Sequence, residues 1–258
     1  MDKRQSQKMA KAFLLEKLEK IAEIYNIQED FDKVLLCYNL KTIYNFLIGK
    51  KVLELGTSGL SSFLLANLDK IEELHIVDAS IKRINETKEM LNSFKKSIKF
   101  YKELWEDFEF REQYYTDIIW IRGIEHIKEP SLILKKIKRA LVPSGRLHII
   151  FPNAFSFHRK LGVYMNILDE PHNFTERDLK YGHYHVFDRF KLISILNNSG
   201  FRVYNWEGII LKPLPNNKMM ELYKENPKLI DALFKIGKEL PDYCAEIYIC
   251  AIPKEEEK

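Results

Sequence analysis

The sequence predicts an α/β protein built on a doubly wound, mostly parallel sheet of seven strands with helical inserts. Seven short apolar runs recur along the 258 residues, and stretches of helical spacing separate most of them, which favours parallel strands joined by crossover helices. The first run, over residues 51–55, is apolar without strict alternation, as in strands buried on both faces of a parallel sheet. Small residues and then a helical pattern follow it, the strand–turn–helix start of doubly wound folds.

Composition places the chain among ordinary globular proteins, with 46% hydrophobic and 30% charged residues. The net charge of +4 is spread along the chain without an arginine-rich arm, so nucleic acid is not an expected partner. Cys37, Cys244 and Cys250 lack the spacing of a metal site, which favours a reduced, cytoplasmic setting. Because no apolar run approaches the roughly 20 residues of a membrane span and the N-terminus lacks a signal-peptide core, no membrane partner is expected. The oligomeric state stays open.

The turn after the first run has a spacing that favours one kind of ligand. Residues 54–59 read Glu-Leu-Gly-Thr-Ser-Gly, whereas dinucleotide-binding turns read G-x-G-x-x-G. Glu54 stands at the strand end, where a carboxylate disfavours a bound anion but attracts a ligand carrying an ammonium and a sulfonium. The next apolar run, over residues 74–77, ends in Asp78, an acid placed to accept hydrogen bonds from ribose hydroxyls.

These two strand ends resemble those of the class I S-adenosylmethionine-dependent methyltransferases. The first motif of that family is written acidic-x-Gly-x-Gly-x-Gly, and its second strand ends in an acid. Ser58 and Leu60 stand where the family has its second and third glycines, and a leucine predicts that the backbone at residue 60 does not need a positive φ. The resemblance implies S-adenosylmethionine as cofactor. The candidate cofactor-binding residues are Glu54, Gly56, Thr57, Ser58, Gly59, Asp78, Ala79, Glu103, Leu104 and Arg122.

Helical patterns surround the first strands. Two of them, over residues 9–25 and 34–48, precede the first strand, and we predict that residues 1–49 cover the core. In the resembling family such helices often cover the cofactor, and packing alone explains them equally well. Ser80 caps a helix predicted over residues 81–94, and the third strand follows at 98–101. That strand end usually holds the adenine ring in the family, so Glu103 either accepts from the adenine amine or is a surface acid.

Two later segments extend the resemblance beyond the first motif. Residues 117–122 form the predicted fourth strand, and residues 123–127, Gly-Ile-Glu-His-Ile, resemble the family's Leu-Glu-His segment. Residues 142–146, Val-Pro-Ser-Gly-Arg, resemble the Leu-x-Pro-Gly-Gly turn before the family's fifth strand, which we place at residues 147–151. The second resemblance is the stronger support because it lies far from the first motif yet at the expected distance.

The C-terminal part completes the predicted domain, which spans residues 50–258. A helix over residues 188–199 precedes strands over 201–211 and 245–252. In the family these two strands form a reversed hairpin at the sheet edge, which implies a reversed C-terminal strand. Residues 213–241 between them carry methionine and aromatic residues at helical spacing, and we predict a helical insert used for packing.

The stretch over residues 152–187 breaks the regular pattern, and a connection this long is uncommon unless it is functional. Because it leaves the fifth strand at the edge where ligands bind, we predict that it forms a lid-like substrate wall. We expect its aromatic side chains to anchor it, namely those of Phe155, Phe157, Tyr164, Phe174, Tyr181 and Tyr184. The candidate substrate-binding residues are Asn153, His158, Arg159, Arg177, Tyr184 and His185.

Methyl transfer to a hydroxyl group needs an aligned acceptor and a base that removes its proton. Histidine suits that task near neutral pH, and we predict His126 or His183 as the base, with a packing histidine as the alternative for each. The basic residues of the insert fit a small anionic, hydroxyl-bearing acceptor, although a solvated surface explains them about as well. Residues 153–159 and 182–188 resemble a subgroup of bacterial small-molecule methyltransferases, some linked to surface-polysaccharide modification.

Other interpretations stay open at this point. Glu125, His126 and a later histidine match a metal-dependent variant of the family that uses Glu-x-x-Glu-His, but Arg122 stands at the first glutamate position and would repel a cation. We therefore expect no metal. Methylation of RNA or protein is a second interpretation, against which the modest charge counts. Binding of S-adenosylmethionine without catalysis is a third, which the substituted glycines allow.

Overall fold

The computed structural model of the chain describes residues 30–255. The strands are β1 Lys50–Leu55, β2 Ile71–Val77, β3 Ser97–Tyr101, β4 Tyr115–Ile121, β5 Leu141–Pro152, β6 Phe201–Ile209 and β7 Glu246–Pro253. The α-helices are α1 Phe31–Tyr44, α2 Leu60–Ala66, α3 Ile81–Leu91, α4 Pro130–Ala140, α5 Phe157–Tyr164, α6 Glu176–Lys180, α7 Arg189–Asn198, α8 Asn216–Glu225 and α9 Pro227–Gly237. The helix expected over residues 9–25 lies outside the described residues.

All seven strands form one sheet in the order β3-β2-β1-β4-β5-β7-β6. The first five pair in parallel, whereas β7 runs antiparallel to both β5 and β6. This confirms the predicted doubly wound sheet with a reversed C-terminal strand. The strand order reverses between β1 and β4, so the carboxyl ends of β1 to β5 form one edge with a crevice at its centre. We call this the carboxyl edge.

Two apolar layers cover the sheet, because successive side chains of a strand point to opposite faces. Val52 packs into the layer under α1, α2, α3, α8 and α9, and its neighbour Leu53 packs into the layer under α4 and α7. The predicted insert over residues 213–241 forms α8 and α9, whose Met219 and Met220 are buried in the first layer. These methionines therefore serve packing, as the sequence indicates.

Two segments differ from the sequence expectation. Strand β5 begins at Leu141 instead of residue 147, because Leu141 already pairs with Tyr115 ahead of a register shift. Residues 152–187 are more regular than expected, since they contain α5 and α6. Helix α6 has only five residues, and a capping box between Thr175 and Asp178 satisfies its first backbone N–H groups. Within residues 30–255, no helix has the length and apolar character needed to cross a membrane.

Candidate functional site

The loop between β1 and α2 takes its shape from two glycines. Gly56 and Gly59 have φ values of 80° and 73°, in the left-handed region that only glycine adopts without strain. Leu60 is the first residue of α2 and has ordinary helical geometry, so a glycine is not required there, as predicted. Ser58 is exposed, and its hydroxyl accepts a hydrogen bond from the Ser61 backbone N–H at 3.1 Å. The substituted glycines therefore leave the loop geometry intact.

A buried chain of hydrogen bonds holds this loop to the end of β1. Ser62 donates its hydroxyl proton to Oε2 of Glu54, and Oγ1 of Thr57 lies 2.6 Å from Oγ of Ser62. Burial raises the pKa of the Glu54 carboxyl to about 7, although hydrogen bonds from neighbouring serines oppose the shift. The second oxygen of Glu54, Oε1, is buried and has no hydrogen-bond partner among the described residues. A buried carboxyl group with an unpaired oxygen is suited to accept a hydrogen bond from a cationic group of a ligand.

Asp78 joins the first two strand-end loops. Its Oδ2 accepts the Thr57 backbone N–H at 3.0 Å, and its Oδ1 accepts the Ser80 backbone N–H at 2.8 Å. Because each carboxylate oxygen has two lone pairs, Asp78 keeps acceptor capacity for ribose hydroxyls. Ala79, the next residue, is exposed.

An indole side chain covers the centre of the carboxyl edge. A Cβ atom added to Gly56 would lie 2.9 Å from Cζ2 of Trp105, and one added to Gly123 would lie 3.1 Å from its Cη2. The Trp105 indole N–H donates to the Val77 carbonyl at 3.3 Å. Trp105 thus packs over the residues that follow β1 and β4. Glu103 and Leu104, which precede Trp105, are exposed. Glu103 can therefore be either the acceptor for the adenine amine or a surface acid.

These residues fit a nucleoside ligand with positive charges, such as the S-adenosylmethionine implied by the resemblance. Three buried carboxyl groups at the carboxyl edge, those of Glu54, Glu125 and Glu246, each have one oxygen without a hydrogen-bond partner in the described part of the chain. Each of these carboxyl groups would be stabilised as a carboxylate by a nearby ammonium or sulfonium. A ligand in this crevice would contact Trp105, which must stack on it or move.

Both histidines predicted as bases lie together beyond the end of β4. The ring centroids of His126 and His183 are 4.7 Å apart in an edge-to-face arrangement. Nδ1 of His183 lies 3.1 Å from Oδ1 of Asp178. A neutral imidazole that donates its Nδ1–H to a carboxylate keeps Nε2 as a proton acceptor. His183 and Asp178 therefore have the base–orienter geometry of a general base, and the sequence analysis did not identify Asp178.

Burial sets the acidities around this pair. Burial, and then the charge of His183, lower the pKa of His126 below its ordinary value. Burial also raises the pKa of Glu125 to about 7. For Asp178, burial alone would raise the pKa, but hydrogen bonds from His183 and Thr175 outweigh it, so the pKa lies below its usual range. Asp178 is thus a permanent carboxylate beside the His183 ring at neutral pH.

The same residues could hold a divalent cation. Ligand atoms of Glu125, His126 and His183 all lie within 4.8 Å of one another. The sequence argument against a metal depends on the charge of Arg122. In the structure, Arg122 donates from Nη1 to Asp32 at 3.1 Å and from Nε to Glu246, so two carboxylates offset its charge. The charge of Arg122 is therefore offset in part, while Arg177 and Lys212 nearby still count against a cation.

The insert over residues 152–187 is attached to the sheet mainly through its backbone. The backbone N–H groups of Tyr184 and His185 both donate to the Glu125 carbonyl, at 2.8 and 3.3 Å, and the Ala154 N–H donates to the Phe187 carbonyl at 2.7 Å. The insert is thus held next to the residues that follow β4, and its role as a substrate wall stays a prediction.

The expectation that aromatic side chains anchor the insert is wrong for most of them. Phe155 is half-buried and packs on His172, with ring centroids 5.0 Å apart. The other five are exposed, Tyr164 by as much as 86%. Backbone hydrogen bonds and Arg159 hold the segment instead. The five exposed aromatic residues are Phe157, Tyr164, Phe174, Tyr181 and Tyr184.

The candidate substrate residues fall into two groups. Asn153 and Arg159 are engaged within the chain: Asn153 donates to the Asp242 and Cys244 carbonyls, and Arg159 donates to Asp178 and to the Pro171 and Asn173 carbonyls. The ring of His185 lies 3.2 Å from the Lys128 carbonyl. His158 and Arg177, by contrast, lie near a group of charges that follows the last residue of β4 and includes the first residue of β7.

This group, which we call the edge charge cluster, includes residues that the sequence analysis did not identify. Asp32 binds Arg177 at 2.9 Å as well as Arg122, and the buried Lys212 follows β6. Neither Asp32 nor Lys212 belongs to a motif, because each comes from a segment outside the resemblance. Only the fold brings them together. The members of the cluster are Asp32, Arg122, His158, Arg177, Lys212 and Glu246.

Comparisons with known proteins give one family and one fold. A family model described as a methyltransferase domain matches residues 29–205. The fold is similar to an S-adenosylmethionine-dependent methyltransferase from Mesorhizobium loti, with TM-score 0.59, 11% identity, and coverage of 83% of this chain and 97% of that one. It is also similar to an S-adenosylmethionine-dependent methyltransferase from Methanosarcina mazei, with TM-score 0.57, 18% identity, and coverage of 83% of this chain and 98% of that one. The cyclase SpnF has a similar fold too, with TM-score 0.60, 13% identity, and coverage of 85% of this chain and 82% of that one. A search of curated proteins finds no match.

Proposed function

Because the chain belongs to the methyltransferase-domain family whose model spans residues 29–205, we propose that it transfers a methyl group from S-adenosylmethionine to a small, anionic, hydroxyl-bearing acceptor. The observation that carries the proposal is the His183–Asp178 pair beside the crevice of the carboxyl edge. It places a base with its orienting carboxylate next to a crevice lined by buried acids. A sugar, a sugar nucleotide or a phosphorylated precursor of surface polysaccharide would fit the proposed acceptor class.

The acids of the crevice would hold the cofactor. When bound, S-adenosylmethionine supplies a methyl group activated by the positive sulfur. Glu54 and Glu125 would balance the positive charges of that ligand, and Asp78 would accept from its ribose hydroxyls. The positive-φ glycines of the first loop let its backbone approach a ligand closely.

His183 would remove the acceptor proton. Nε2 would take the hydroxyl proton as the acceptor oxygen gains the methyl group from sulfur, so that S-adenosylhomocysteine is the leaving group and the ring becomes an imidazolium. Asp178, ionised at neutral pH, stabilises that imidazolium through Nδ1–H. The backbone bonds from Tyr184 and His185 to Glu125 keep this segment of the insert over the crevice and help to exclude water.

The proposal is tested in two steps. Isothermal titration with S-adenosylhomocysteine is expected to show one site per chain. A panel of carboxylated and phosphorylated sugars is then screened for release of S-adenosylhomocysteine from S-adenosylmethionine. Absence of cofactor binding would exclude the proposal. Tight binding with no turnover on any acceptor, including RNA and protein, would instead favour binding without methyl transfer; the similarity to SpnF shows that another chemistry occurs on this fold.

A metal-assisted form of the same reaction is a second candidate, and the clustering of Glu125, His126 and His183 favours it. A cation there would bind the acceptor oxygen directly and lower the pKa of its hydroxyl. Loss of turnover with a chelator, restored by Mg²⁺ or Mn²⁺, would establish the metal-assisted form. Turnover that a chelator leaves unchanged would exclude the metal-assisted form.

A further inference from the structure

Lys212 is a buried cation with no carboxylate in ion-pair contact among residues 30–255. It is 8% exposed, and its Nζ donates to the amide oxygen of Asn216 at 2.6 Å. Burial lowers the pKa of Lys212 to about 8, although the charges of Asp32 and Glu246 oppose the shift. A buried ammonium is normally paired with an anion, and a neutral amide offsets its desolvation only in part. The position after β6 therefore favours binding of a further negative group.

His158 supplies an unsatisfied polar atom at the same place. Its Nδ1 is buried and has no hydrogen-bond partner within residues 30–255. Burial, and then the charges of Lys212 and Arg159, lower the pKa of His158 to about 3, so the ring is neutral at physiological pH. The neutral His158 ring therefore has a free nitrogen and lies among cations. It can form a hydrogen bond with an anion that these cations also attract.

Arg122 adds a donor. Its Nε and Nη1 bind Glu246 and Asp32, but Nη2 is buried and has no partner in the described part of the chain. Its φ of 49° lies in the left-handed region, which is uncommon for a residue with a side chain and is found mainly where the surroundings enforce it. The backbone thus holds the guanidinium at the carboxyl edge, where its Nη2 group has no hydrogen-bond partner among the described residues.

The charges of the edge charge cluster do not balance. Three cations, Arg122, Arg177 and Lys212, are within electrostatic range of two carboxylates, Asp32 and Glu246. Glu125 acts on Arg122, whereas the charges that act on Lys212 are those of Asp32, Glu246, Arg177 and Arg122. Arg159 is paired with Asp178 and does not alter this balance. The surplus is positive, and it lies beside the proposed base.

We infer that Lys212, His158 and Arg122 form a subsite that binds the anionic group of the acceptor, a carboxylate or a phosphate, with Lys212 as its main counter-charge. This inference rests on the proposed function, because it assigns the anion of the same acceptor to named residues. The subsite lies on the β5–β7 side of the carboxyl edge, and Glu54 and Asp78 lie on the β1–β2 side. Acceptor and cofactor therefore approach from opposite sides of Glu125.

The test compares Lys212→Met with Lys218→Met as a matched control. Lys218 lies on α8, is exposed and pairs with Glu221 at 2.8 Å, so its loss is expected to leave the subsite intact. Binding of inorganic phosphate and of acetate is measured by calorimetry, with and without saturating S-adenosylhomocysteine. We expect Lys212→Met to weaken anion binding at least tenfold and Lys218→Met to change it less than twofold. Preference for phosphate or for acetate in the wild type identifies the acceptor's anion.

Two results would overturn the subsite: a Lys212→Met variant that binds anions as the wild type does, or a wild type that binds neither anion. S-adenosylhomocysteine affinity separates this failure from failure of the proposed function, because it reports on the other side of the crevice. Lys212→Arg keeps the charge and is expected to bind within about threefold of the wild type. Loss of binding in Lys212→Arg while cofactor affinity is kept would show that charge is not the determinant.

Discussion

Nδ1 of His183 lies 3.1 Å from Oδ1 of Asp178, and the same carboxylate closes the capping box of α6 with Thr175. The helix start and the orientation of the imidazole therefore depend on one side chain. Asp178 also accepts from Arg159, which holds the loop before α6 through two backbone carbonyls. This helix of five residues is stabilised because Asp178 at its cap also contacts His183 and Arg159.

Replacing His183 tests the base. His183→Asn is expected to lower turnover by about 10²–10⁴ and to leave S-adenosylhomocysteine affinity nearly unchanged, because the proton acceptor acts only in the chemical step. Steady-state rates and calorimetry measure the two effects. His185→Asn is the control, since the ring of His185 lies against the Lys128 carbonyl and the Phe187 ring. A loss confined to His126→Asn would move the role to His126.

Asp78→Asn is expected to weaken S-adenosylhomocysteine binding by about 1–3 kcal/mol, the scale of a lost charged hydrogen bond. Part of the loss comes from the loop, because Thr57 and Ser80 donate to different oxygens of Asp78 and an asparagine would set its NH2 group against one of these donors. Calorimetry gives the affinity, and thermal unfolding reports on the loop. Asp69→Asn, at an exposed acid, is the control. Equal affinities in the two variants would remove Asp78 from the cofactor site.

Trp105 is expected to report ligand binding by its fluorescence. A ligand on Gly56 must stack on the indole or displace it, so the emission of the wild type is expected to change as S-adenosylhomocysteine is added. The change is expected to disappear in Trp105→Phe and to persist in Trp206→Phe, whose indole packs on Arg189. The same ligand response in Trp105→Phe would place the ligand elsewhere.

Glu54→Gln is expected to change how stability depends on pH. Burial raises the pKa of Glu54 from 4.5 to about 7, so the folded ligand-free protein binds more protons than the unfolded chain between these values and loses stability as pH rises through them. Above pH 7 the free energy of unfolding of the variant is expected to exceed that of the wild type by about 3 kcal/mol. Below pH 4.5 the two free energies are expected to be equal. Urea unfolding measures both.

Glu72→Gln, at an exposed glutamate of β2, is the control for this measurement. Glu125 titrates over the same range in every variant, so its contribution cancels when variants are compared with the wild type. A pH-independent difference between Glu54→Gln and the wild type would show that Glu54 is not buried in the ligand-free protein.

The sequence predicts much of the fold because the strands are visible as apolar runs and their turns as small residues. The resemblance based on residues 51–62 and 142–146 is confirmed by the family match and by the strand order. The candidate site was harder to predict. Lys212 and Asp178 lie 34 positions apart in the sequence and carry no motif, and only their burial and partners distinguish them from surface charges.

The attachment of the insert to the Glu125 carbonyl has a consequence for divergence within the family. Hydrogen bonds from the backbone N–H groups at residues 184 and 185 do not require particular side chains there. Mutations at these positions can therefore accumulate without detaching the wall of the crevice, whereas a proline at residue 184 would remove one of its two bonds. If methyl transfer proceeds as proposed, such an enzyme can acquire new acceptors by drift in one exposed segment while the loop proposed to hold the cofactor stays under selection.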